Sequence, residues 1–509
     1  MYENFFSDVA ATGPILLIAL VGVIAVVVDS FKNDSPSIPW IAAAGMVVAL
    51  VWEVTRFGSS VLVFEGQVAV GGLAAFANAV ILLGAVGSVM LSVPYLTRAN
   101  RNYGEVHALI LFATCGAMVL ASAGSLITMF VGLETMSICL YVLTGLSRER
   151  QRANESALKY FILGAFSTGF FLYGIALMYG ATGTMQLAEL GTALEVTGRT
   201  GLFVGGVALL MVGFFFKVSA VPFHMWTPDV YQGAPTTLTA FMSTISKTAA
   251  FAALIAVLTR VFAMDIEAFA GGVADGGSLT LMLAIIAAVT MVVGNVIAIS
   301  QNNVKRMLAY SSIAHAGYIL AGLAAGTADG YSGALYYLLA YTVMNLGAFG
   351  VLSALEWDAE EGAVQTIDSL AGMGYRKPLL GISMGVFMFA LTGFPPLAGF
   401  IGKYLVFAAA INAGLTWLAV IGVLASIVSA FYYLRVLVAF WMRSPEDSPA
   451  EVQAAAFPVA TVTTVVLVGS VAALLGLGIL PGPVIEIAQS IFAGTVAETV
   501  TPAVTAMLP

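Results

Sequence analysis

Long runs of apolar residues, separated by short polar stretches, recur along the whole of this 509-residue chain. A helix needs about 20 mostly apolar residues to cross the hydrocarbon core of a bilayer, and the runs have this length. A membrane barrel would instead show shorter segments of alternating apolar and polar positions, and such segments do not dominate here. The pattern predicts fourteen membrane-spanning helices, over 11–28, 38–55, 70–96, 106–123, 125–146, 155–180, 201–224, 236–260, 277–300, 306–327, 332–355, 378–409, 411–434 and 456–480.

Composition supports the same class of protein. Hydrophobic residues make up 60% of the chain and charged residues only 9%, whereas about 25% of a typical soluble domain is charged. The formal net charge of −8 arises largely from acidic residues in loops and near span ends, where they are solvated, and no basic tract is present. We therefore predict an all-α polytopic membrane protein, embedded in the lipid bilayer, with no nucleic-acid partner.

The chain shows no sequence pattern of a bound cofactor. Its two cysteines, Cys115 and Cys139, both lie inside predicted spans and lack the spacing of metal ligands, so no cysteine cluster for iron and sulfur is present. No glycine-rich phosphate loop follows a strand. No cofactor or metal is therefore expected in this chain.

The distribution of basic residues predicts the orientation in the membrane. The loops after odd-numbered spans hold twelve of the 19 lysines and arginines, those after even-numbered spans hold three, and four remain inside spans. Cytoplasmic loops carry the excess of basic residues. Both termini are therefore predicted to lie on the non-cytoplasmic side.

Four charged residues fall deep inside predicted spans: Glu134, Lys217, Lys247 and Lys403. From the helical rise of 1.5 Å per residue, Glu134 and Lys247 lie roughly 14 and 16 Å into their spans. A lysine at the bilayer centre costs about 2.5–3.5 kcal/mol on insertion scales, and such residues usually mark ion or proton pathways. Several partnered charges in lipid are difficult to explain by packing alone, so these four residues are the predicted proton relay.

Prolines interrupt two of the spans that carry these lysines. Pro222 follows Lys217 by five residues, and Pro395 and Pro396 precede Lys403 in the twelfth span. Proline removes an amide donor from a helix interior, and a membrane protein tolerates this where neighbours or a water-filled cavity satisfy the freed groups. Interrupted helices at matching positions of two repeats indicate a transport site. Spans 7 and 12 are therefore predicted to be discontinuous.

Spans 4–8 and 9–13 form two units of five helices. Because five is an odd number, the second unit begins on the opposite side of the membrane, which predicts two inverted repeats. The predicted organisation is a three-helix segment, two repeats and a last helix with its tail, over 1–100, 101–262, 263–441 and 442–509.

Four further residues each have a structural and a functional interpretation. Lys159 lies near the basic end of its span, where a lysine usually extends to the interface. Lys305 resembles an ordinary cytoplasmic anchor. His224, just past the interruption, and His315, near mid-depth of the tenth span, are either structural histidines or members of the relay.

Three stretches carry a resemblance to a known family: KVSAVPFHMWTPDVYQGAPTTLTAFMSTISK, NNVKRMLAYSSIAHAGY and GFPPLAGFIGK. They closely resemble the antiporter-like subunits of respiratory complex I, over essentially the whole chain. Within that group TPDVYQGAPT is most similar to the subunit N family of bacterial NADH:quinone oxidoreductases, since the sister subunits and related cation/proton antiporters typically read closer to LPDAH or LPDAY.

The resemblance implies roles for individual residues. Glu134 matches the family's acid on the fifth helix, Lys217 its partner on the broken seventh, Lys247 the central lysine of the eighth, and Lys403 the terminal residue of the broken twelfth. Lys159 and Lys305 also match basic positions of this subunit type. A movable Glu134 close to Lys217 would then control whether that amine holds its proton or passes it, through Lys247 and polar side chains, to Lys403 and the outer side.

The resemblance also implies the protein's surroundings. NADH, FMN, iron–sulfur clusters and quinone are expected in partner subunits, whose redox chemistry would drive proton movement from the cytoplasm outward. The expected partners are other membrane-arm subunits, including sister antiporter-like subunits, in a bacterial cell membrane. Two alternatives remain open: a subunit of a cation/proton antiporter, and a non-conducting scaffold of the complex.

Overall fold

The computed structural model describes residues 5–32, 35–98, 104–147, 149–198, 200–262, 278–356, 365–449 and 458–497. Its helices, numbered in chain order, are α1 Phe5–Ala11, α2 Gly13–Phe31, α3 Ile38–Val54, α4 Gly72–Arg98, α5 Gly104–Ala121, α6 Leu126–Thr144, α7 Gln151–Thr182, α8 Leu187–Thr197, α9 Gly201–Val218, α10 Trp226–Gly233, α11 Thr236–Val261, α12 Ser278–Ile299, α13 Val304–Ala324, α14 Ala328–Leu355, α15 Met373–Arg376, α16 Pro378–Thr392, α17 Ala398–Asn412, α18 Thr416–Met442, α19 Thr461–Ile479 and α20 Gly482–Ala497.

The structure confirms an almost wholly helical protein with many apolar helices. Among the described residues, 12 helices are long and apolar enough to cross a membrane, and α3, α16 and α17 are shorter apolar helices. These shorter helices lie where the second and twelfth spans are predicted. The count of fourteen spans and their inverted repetition stay predictions.

One small sheet departs from the helical pattern. Strands β1 (Ser60–Val63) and β2 (Val68–Gly71) form an antiparallel hairpin between α3 and α4. Its second strand also bonds the loop between α5 and α6, where the Ala69 amide donates to the carbonyl of Ser122 at 2.7 Å. The hairpin therefore ties the N-terminal segment to the helices that follow it.

The helices end where the prolines interrupt the sequence pattern. Helix α9 stops at Val218 because Ser219 adopts a left-handed backbone, with φ 66°, and α10 begins only at Trp226. Helix α16 stops at Thr392, where Gly393 has φ 86°, and α17 begins at Ala398. Pro222, Pro395 and Pro396 lie inside these two interruptions, which free backbone carbonyls at the helix ends.

Two helices form the centre of the bundle. In α11 the residues from Thr236 to Leu258 are all buried, and α14 is nearly as enclosed. Helix α11 packs against α4, α14 and α5. The outer helices instead present large apolar side chains outward, such as Phe166, Tyr404 and Ile427. This distribution suits a bundle surrounded by lipid or by other membrane subunits.

Close helix contacts rest on glycines at two places. Helices α5 and α6 meet at Gly116 and Gly132, and α7 and α9 meet at Gly174 and Gly206. A Cβ built on Gly174 would lie 2.6 Å from the backbone nitrogen of Leu210. Small residues let helix backbones approach closely in membranes. These contacts set the positions of α6 and α9, which carry Glu134 and Lys217.

We predict that Gly174→Val lowers the thermal stability of the protein. The added side chain meets backbone atoms, which cannot rotate away, and overpacking of this kind costs about 1–3 kcal/mol. The measurement is the midpoint of thermal unfolding in detergent. Gly169→Val is the matched control on the same helix, because a Cβ there has nothing within 4 Å. Equal midpoints for the two variants would contradict the prediction.

Candidate functional site

Lys217 lies in the last turn of α9, immediately before the interruption, and is 2% exposed. Its amine donates to the hydroxyl of Ser137 at 2.7 Å and to that of Tyr160 at 3.4 Å. The amine also lies 5.5 Å from the centre of the Tyr160 ring. Two hydroxyls and an aromatic face therefore hold this amine inside the bundle.

Glu134 lies one turn before Ser137 on helix α6. Its Oε1 atom is buried and accepts no hydrogen bond from the described part of the chain. Lys217 is near enough to interact electrostatically with this carboxylate, yet the bonds of its amine go to Ser137 and Tyr160. Lys217 on α9 therefore lies beside the turn of α6 that carries Glu134 and Ser137, and its direct hydrogen bond goes to Ser137.

Lys247 lies in the middle of the central helix α11 and is 1% exposed. Its amine donates to the backbone carbonyl of Ser312 on α13 and lies 5.6 Å from the centre of the Tyr341 ring. The hydroxyl of Ser312 in turn accepts a hydrogen bond from Tyr341 at 2.7 Å and contacts that of Tyr231 at 3.3 Å. Lys247 therefore adjoins a group of hydroxyls.

Aromatic side chains connect the surroundings of Lys217 and Lys247. The ring of Tyr160 stacks on Trp226, with centroids 4.5 Å apart, and Trp226 meets Tyr231 edge-on at 6.4 Å. Trp226 and Tyr231 belong to α10, which directly follows the interruption. The short helix therefore bridges the two lysines.

His315 lies in α13, one turn beyond Ser312, and is 1% exposed. Its Nδ1 is 2.7 Å from the hydroxyl of Tyr337, and its Nε2 is 3.0 Å from that of Tyr433. Tyr433 also bonds the hydroxyl of Ser311. An imidazole bonded at both nitrogens can accept a proton at one and release one at the other.

Lys403 lies in α17 beside the second interruption and is 5% exposed. Its amine donates to the carbonyls of Leu391 and Thr392 at 3.1 and 2.8 Å, and to the Ser426 hydroxyl at 2.7 Å. The last carbonyls of a helix lack intrahelical partners and favour a cation. The end of α16 therefore provides the acceptors for this amine.

A groove opens beside Lys403, between α17 and α18. Its volume is about 520 Å³, and its walls are mainly apolar, including Phe400, Tyr404 and Ile427. Lys403 and Ser426 contribute polar atoms to it. Lys403 is thus a relay candidate that lines an open groove.

An ion-pair group that the sequence analysis missed surrounds Asp229 on α10. Its carboxylate accepts from Lys159 at 2.9 Å and from Arg306 at 2.5 Å, and Lys159 also pairs with Glu155 at 2.6 Å. An acid inside the otherwise uncharged stretch between two helices was the available signal. Lys159 therefore forms an ion pair with Asp229. Neither the structural nor the functional interpretation of Lys159 included this partner.

The two remaining candidates differ in their surroundings. Lys305 is 3% exposed and donates to the carbonyl of Ala234 at 2.6 Å, so it is a buried residue rather than a solvated anchor. His224 is partly buried, and its Nδ1 has no hydrogen-bond partner among the described residues. No bond described in the structure joins His224 to the lysines.

We predict that Asp229 contributes more to stability than an exposed acid does. Lys159, Asp229 and Arg306 are 43, 32 and 30% exposed. Because Asp229 is less exposed than a surface acid, solvent should weaken its ion pairs less, although each pair should still contribute no more than about 1 kcal/mol. The measurement is a double-mutant cycle of Asp229→Asn with Arg306→Gln, scored by thermal unfolding. Its control is Asp368→Asn with Arg443→Gln, a pair at 66 and 43% exposure. Equal coupling in the two cycles would contradict the prediction.

The described residues contain no group of three or more His, Cys, Asp or Glu side chains that could hold a metal ion. What the structure assembles is a row of buried amines joined by hydroxyls, an imidazole and aromatic rings. The amines, hydroxyls and imidazole can exchange protons, whereas the aromatic rings provide packing and an electronegative face for a cation.

Comparisons with known proteins agree with this chemistry. Residues 123–429 match the family described as NADH:quinone oxidoreductase/Mrp antiporter, TM. The chain is 56% identical over 504 residues to NADH-quinone oxidoreductase subunit N of Salinibacter ruber, covering 98% of each, and 44% identical over 480 residues to the same subunit of Trichlorobacter lovleyi, covering 94% of this chain and 95% of that protein.

A solved structure is similar along nearly the whole chain. A chain of respiratory complex I from Thermus thermophilus with bound aureothin is 36% identical, with a TM-score of 0.78, covering 94% of this chain and 99% of that one. The family match covers the helices that carry all the buried lysines. The chain therefore belongs to the NADH:quinone oxidoreductase/Mrp antiporter family of membrane proteins, among relatives that are subunit N of NADH-quinone oxidoreductase.

Proposed function

We propose that this chain is a proton-translocating membrane-arm subunit of a bacterial NADH:quinone oxidoreductase. The observation that carries the proposal is the row of buried amines at Lys217, Lys247 and Lys403, each bonded to oxygen and separated by proton-exchanging groups. A scaffold gains little from amines in this position, because each costs free energy to bury. The full-length similarity to subunit N supports the assignment.

The first half of the relay consists of Glu134, Lys217 and the groups around them. Loss of a nearby carboxylate charge favours the neutral form of an amine, and its return favours the charged form. Movement of Glu134 relative to Lys217 would therefore make this amine release or retain its proton. The proton would pass toward Lys247 along α10 by way of water and the hydroxyl of Tyr231, which contacts that of Ser312, while the Trp226 ring packs between Tyr160 and Tyr231.

The second half of the relay leads from Lys247 to Lys403. Ser312 and Tyr341 lie next to Lys247, and the ring of His315 lies 5.4 Å from that of Tyr341. The hydroxyls of Tyr337 and Tyr433 contact the two nitrogens of His315. The Lys403 amine lies 4.8 Å from the ring centre of Tyr318, which faces His315 edge-on at 5.4 Å. Small movements of water or side chains would complete this path.

The energy for transport must come from outside the chain. In this proposal NADH, FMN, iron–sulfur clusters and quinone act in partner subunits, and the redox reaction drives protons from the cytoplasm outward. The partners are other membrane-arm subunits, including sister antiporter-like subunits. In this proposal both termini lie on the non-cytoplasmic side of the membrane. The chain crosses the membrane fourteen times, spans 7 and 12 are discontinuous, and residues 101–262 and 263–441 form inverted repeats.

Two alternative functions remain to be tested against this one. The matching family also includes Mrp antiporters, so a cation/proton antiporter would use the same buried amines with a different energy source. Proton flux by the purified chain alone would favour it, whereas co-purification with flavin and iron–sulfur subunits would favour the redox complex. A non-conducting scaffold would tolerate replacement of the lysines.

We predict that Lys247→Arg impairs proton translocation as severely as Lys247→Ala does. Arginine keeps the positive charge but stays protonated at all relevant pH values, so it fills the site without passing a proton. The measurement is protons moved per NADH oxidised in membrane vesicles, with assembly followed by NADH oxidation with a water-soluble acceptor. Lys32→Ala, an exposed lysine, is the control.

The outcomes of this experiment separate conduction from scaffolding. Normal assembly with fewer protons per NADH in both Lys247 variants supports conduction. An unaltered ratio in both variants would support the scaffold. A defect in Lys247→Ala that Lys247→Arg corrects would mean that the charge, and not proton exchange, is what the position requires.

A further inference from the structure

A buried carboxylate outside the predicted relay lies at the end of α14. Glu356 is 4% exposed and immediately follows the last residue of that helix. Its Oε2 accepts a hydrogen bond from the hydroxyl of Thr236 at 2.5 Å. Its Oε1 is buried and has no hydrogen-bond partner among the described residues. Thr236 therefore holds one oxygen of this carboxylate, while the other oxygen is not engaged in a hydrogen bond within the described structure.

Two basic side chains act electrostatically on Glu356 without binding it. The amine of Lys305 donates a hydrogen bond to the backbone carbonyl of Ala234. The guanidinium of Arg98 donates to the backbone carbonyl of Ser353 at 2.9 Å. The charges of both interact with Glu356. Glu356 is therefore a buried acid near two basic side chains whose hydrogen bonds go elsewhere.

The position of Glu356 leads toward the central lysine. Lys305 and Ser312 are both on α13, seven residues and thus roughly 10 Å apart on the same face, and the carbonyl of Ser312 accepts from Lys247. Thr236, which binds Glu356, begins the helix that carries Lys247. Two neighbouring helices thus connect this corner of the bundle to the middle of the relay.

The corner lies on the side predicted to face the cytoplasm. Arg98 follows the third predicted span and Lys305 the ninth, and the loops after odd-numbered spans carry most of the basic residues. Protons that move outward would enter here. Glu356 is thus a buried acid at the entry side.

We propose that Glu356 is the proton acceptor at the cytoplasmic entrance of the path to Lys247, an inference that rests on the proposed function. Its carboxylate takes a proton at Oε1 from water and becomes the neutral acid. The acid then passes that proton through a bridging water to the neutral amine of Lys305, which becomes an ammonium, and the carboxylate is restored. Lys305 hands the proton on toward Ser312 and Lys247, and its amine returns to the neutral form.

The competing explanation is a purely structural clamp. Lys305 and Glu356 both bind the linker that joins α10 to α11, through the Ala234 carbonyl and the Thr236 hydroxyl. A clamp needs the hydrogen bond from Thr236, whereas a proton acceptor needs the carboxylate. Different substitutions remove the two features.

The test compares Glu356→Gln, Glu356→Asp and Thr236→Val in the whole complex in membrane vesicles. Glutamine can still accept from Thr236 but cannot carry a proton, aspartate keeps the acid, and Thr236→Val removes the bond and leaves the acid. We expect a loss of protons moved per NADH oxidised for Glu356→Gln, a ratio kept by Glu356→Asp, and a smaller loss than that of Glu356→Gln for Thr236→Val, which keeps the proton-carrying acid. Glu446→Gln, an exposed acid on the same predicted side, is the matched control.

Each other result overturns the inference. A normal ratio in Glu356→Gln removes any proton-carrying role, and an equal loss in Thr236→Val shows a clamp. Failure of Glu356→Gln alone to assemble, judged by NADH oxidation with a water-soluble acceptor, assigns the carboxylate a structural role. Lys247→Ala in the same vesicles separates the two proposals, since a normal ratio there contradicts the proposed function, whereas a loss there with a normal Glu356→Gln contradicts this inference alone.

Discussion

A lysine amine inside a membrane bundle needs oxygen acceptors, since the surrounding hydrocarbon provides none, and the packing of this protein is arranged around that need. Lys217 donates to two hydroxyls, Lys247 to a carbonyl of α13, and Lys403 to two carbonyls and a hydroxyl. Each set of acceptors comes from a different helix or from a helix end. The helices that provide these oxygens must therefore keep their positions for the amines to stay buried.

The interruptions in the helices follow from the same need. A continuous helix uses its own carbonyls, whereas a helix that stops leaves its last carbonyls without partners. At the end of α16 those carbonyls bind Lys403. At the end of α9 the break instead allows α10 to place Trp226 and Tyr231 between Lys217 and Lys247. The prolines therefore supply acceptors at one site and a bridge at the other.

Three acidic residues lie near the buried or partly buried basic side chains, and they differ in how completely their carboxylates are paired. Asp229 is fully paired with two cations, whereas Glu134 and Glu356 each keep one buried oxygen without a partner in the described structure. A carboxylate paired with two cations stabilises one arrangement, whereas a carboxylate with one oxygen outside any hydrogen bond can change its partner at lower cost. This difference separates the acid that fixes α10 from the two acids that we propose for the proton path.

The sequence by itself determined the class of protein, the approximate helix positions and the identity of the buried amines. Apolar runs and prolines are local features of the sequence, and α9 and α16 end close to Pro222 and Pro395. The partners of the amines were not predictable in this way. Lys217 and Ser137 are 80 residues apart, and Lys247 and Ser312 are 65 apart.

Only the tertiary structure decided which charged groups act together. The pattern placed Lys305 at a span end, where anchors are common, and gave no reason to single out Glu356 beside other loop acids. Burial of both depends on how α4, α11, α13 and α14 converge at one end of the bundle. Depth along a helix can be counted from the sequence, but the direction a side chain faces and the oxygen it meets depend on packing between distant segments.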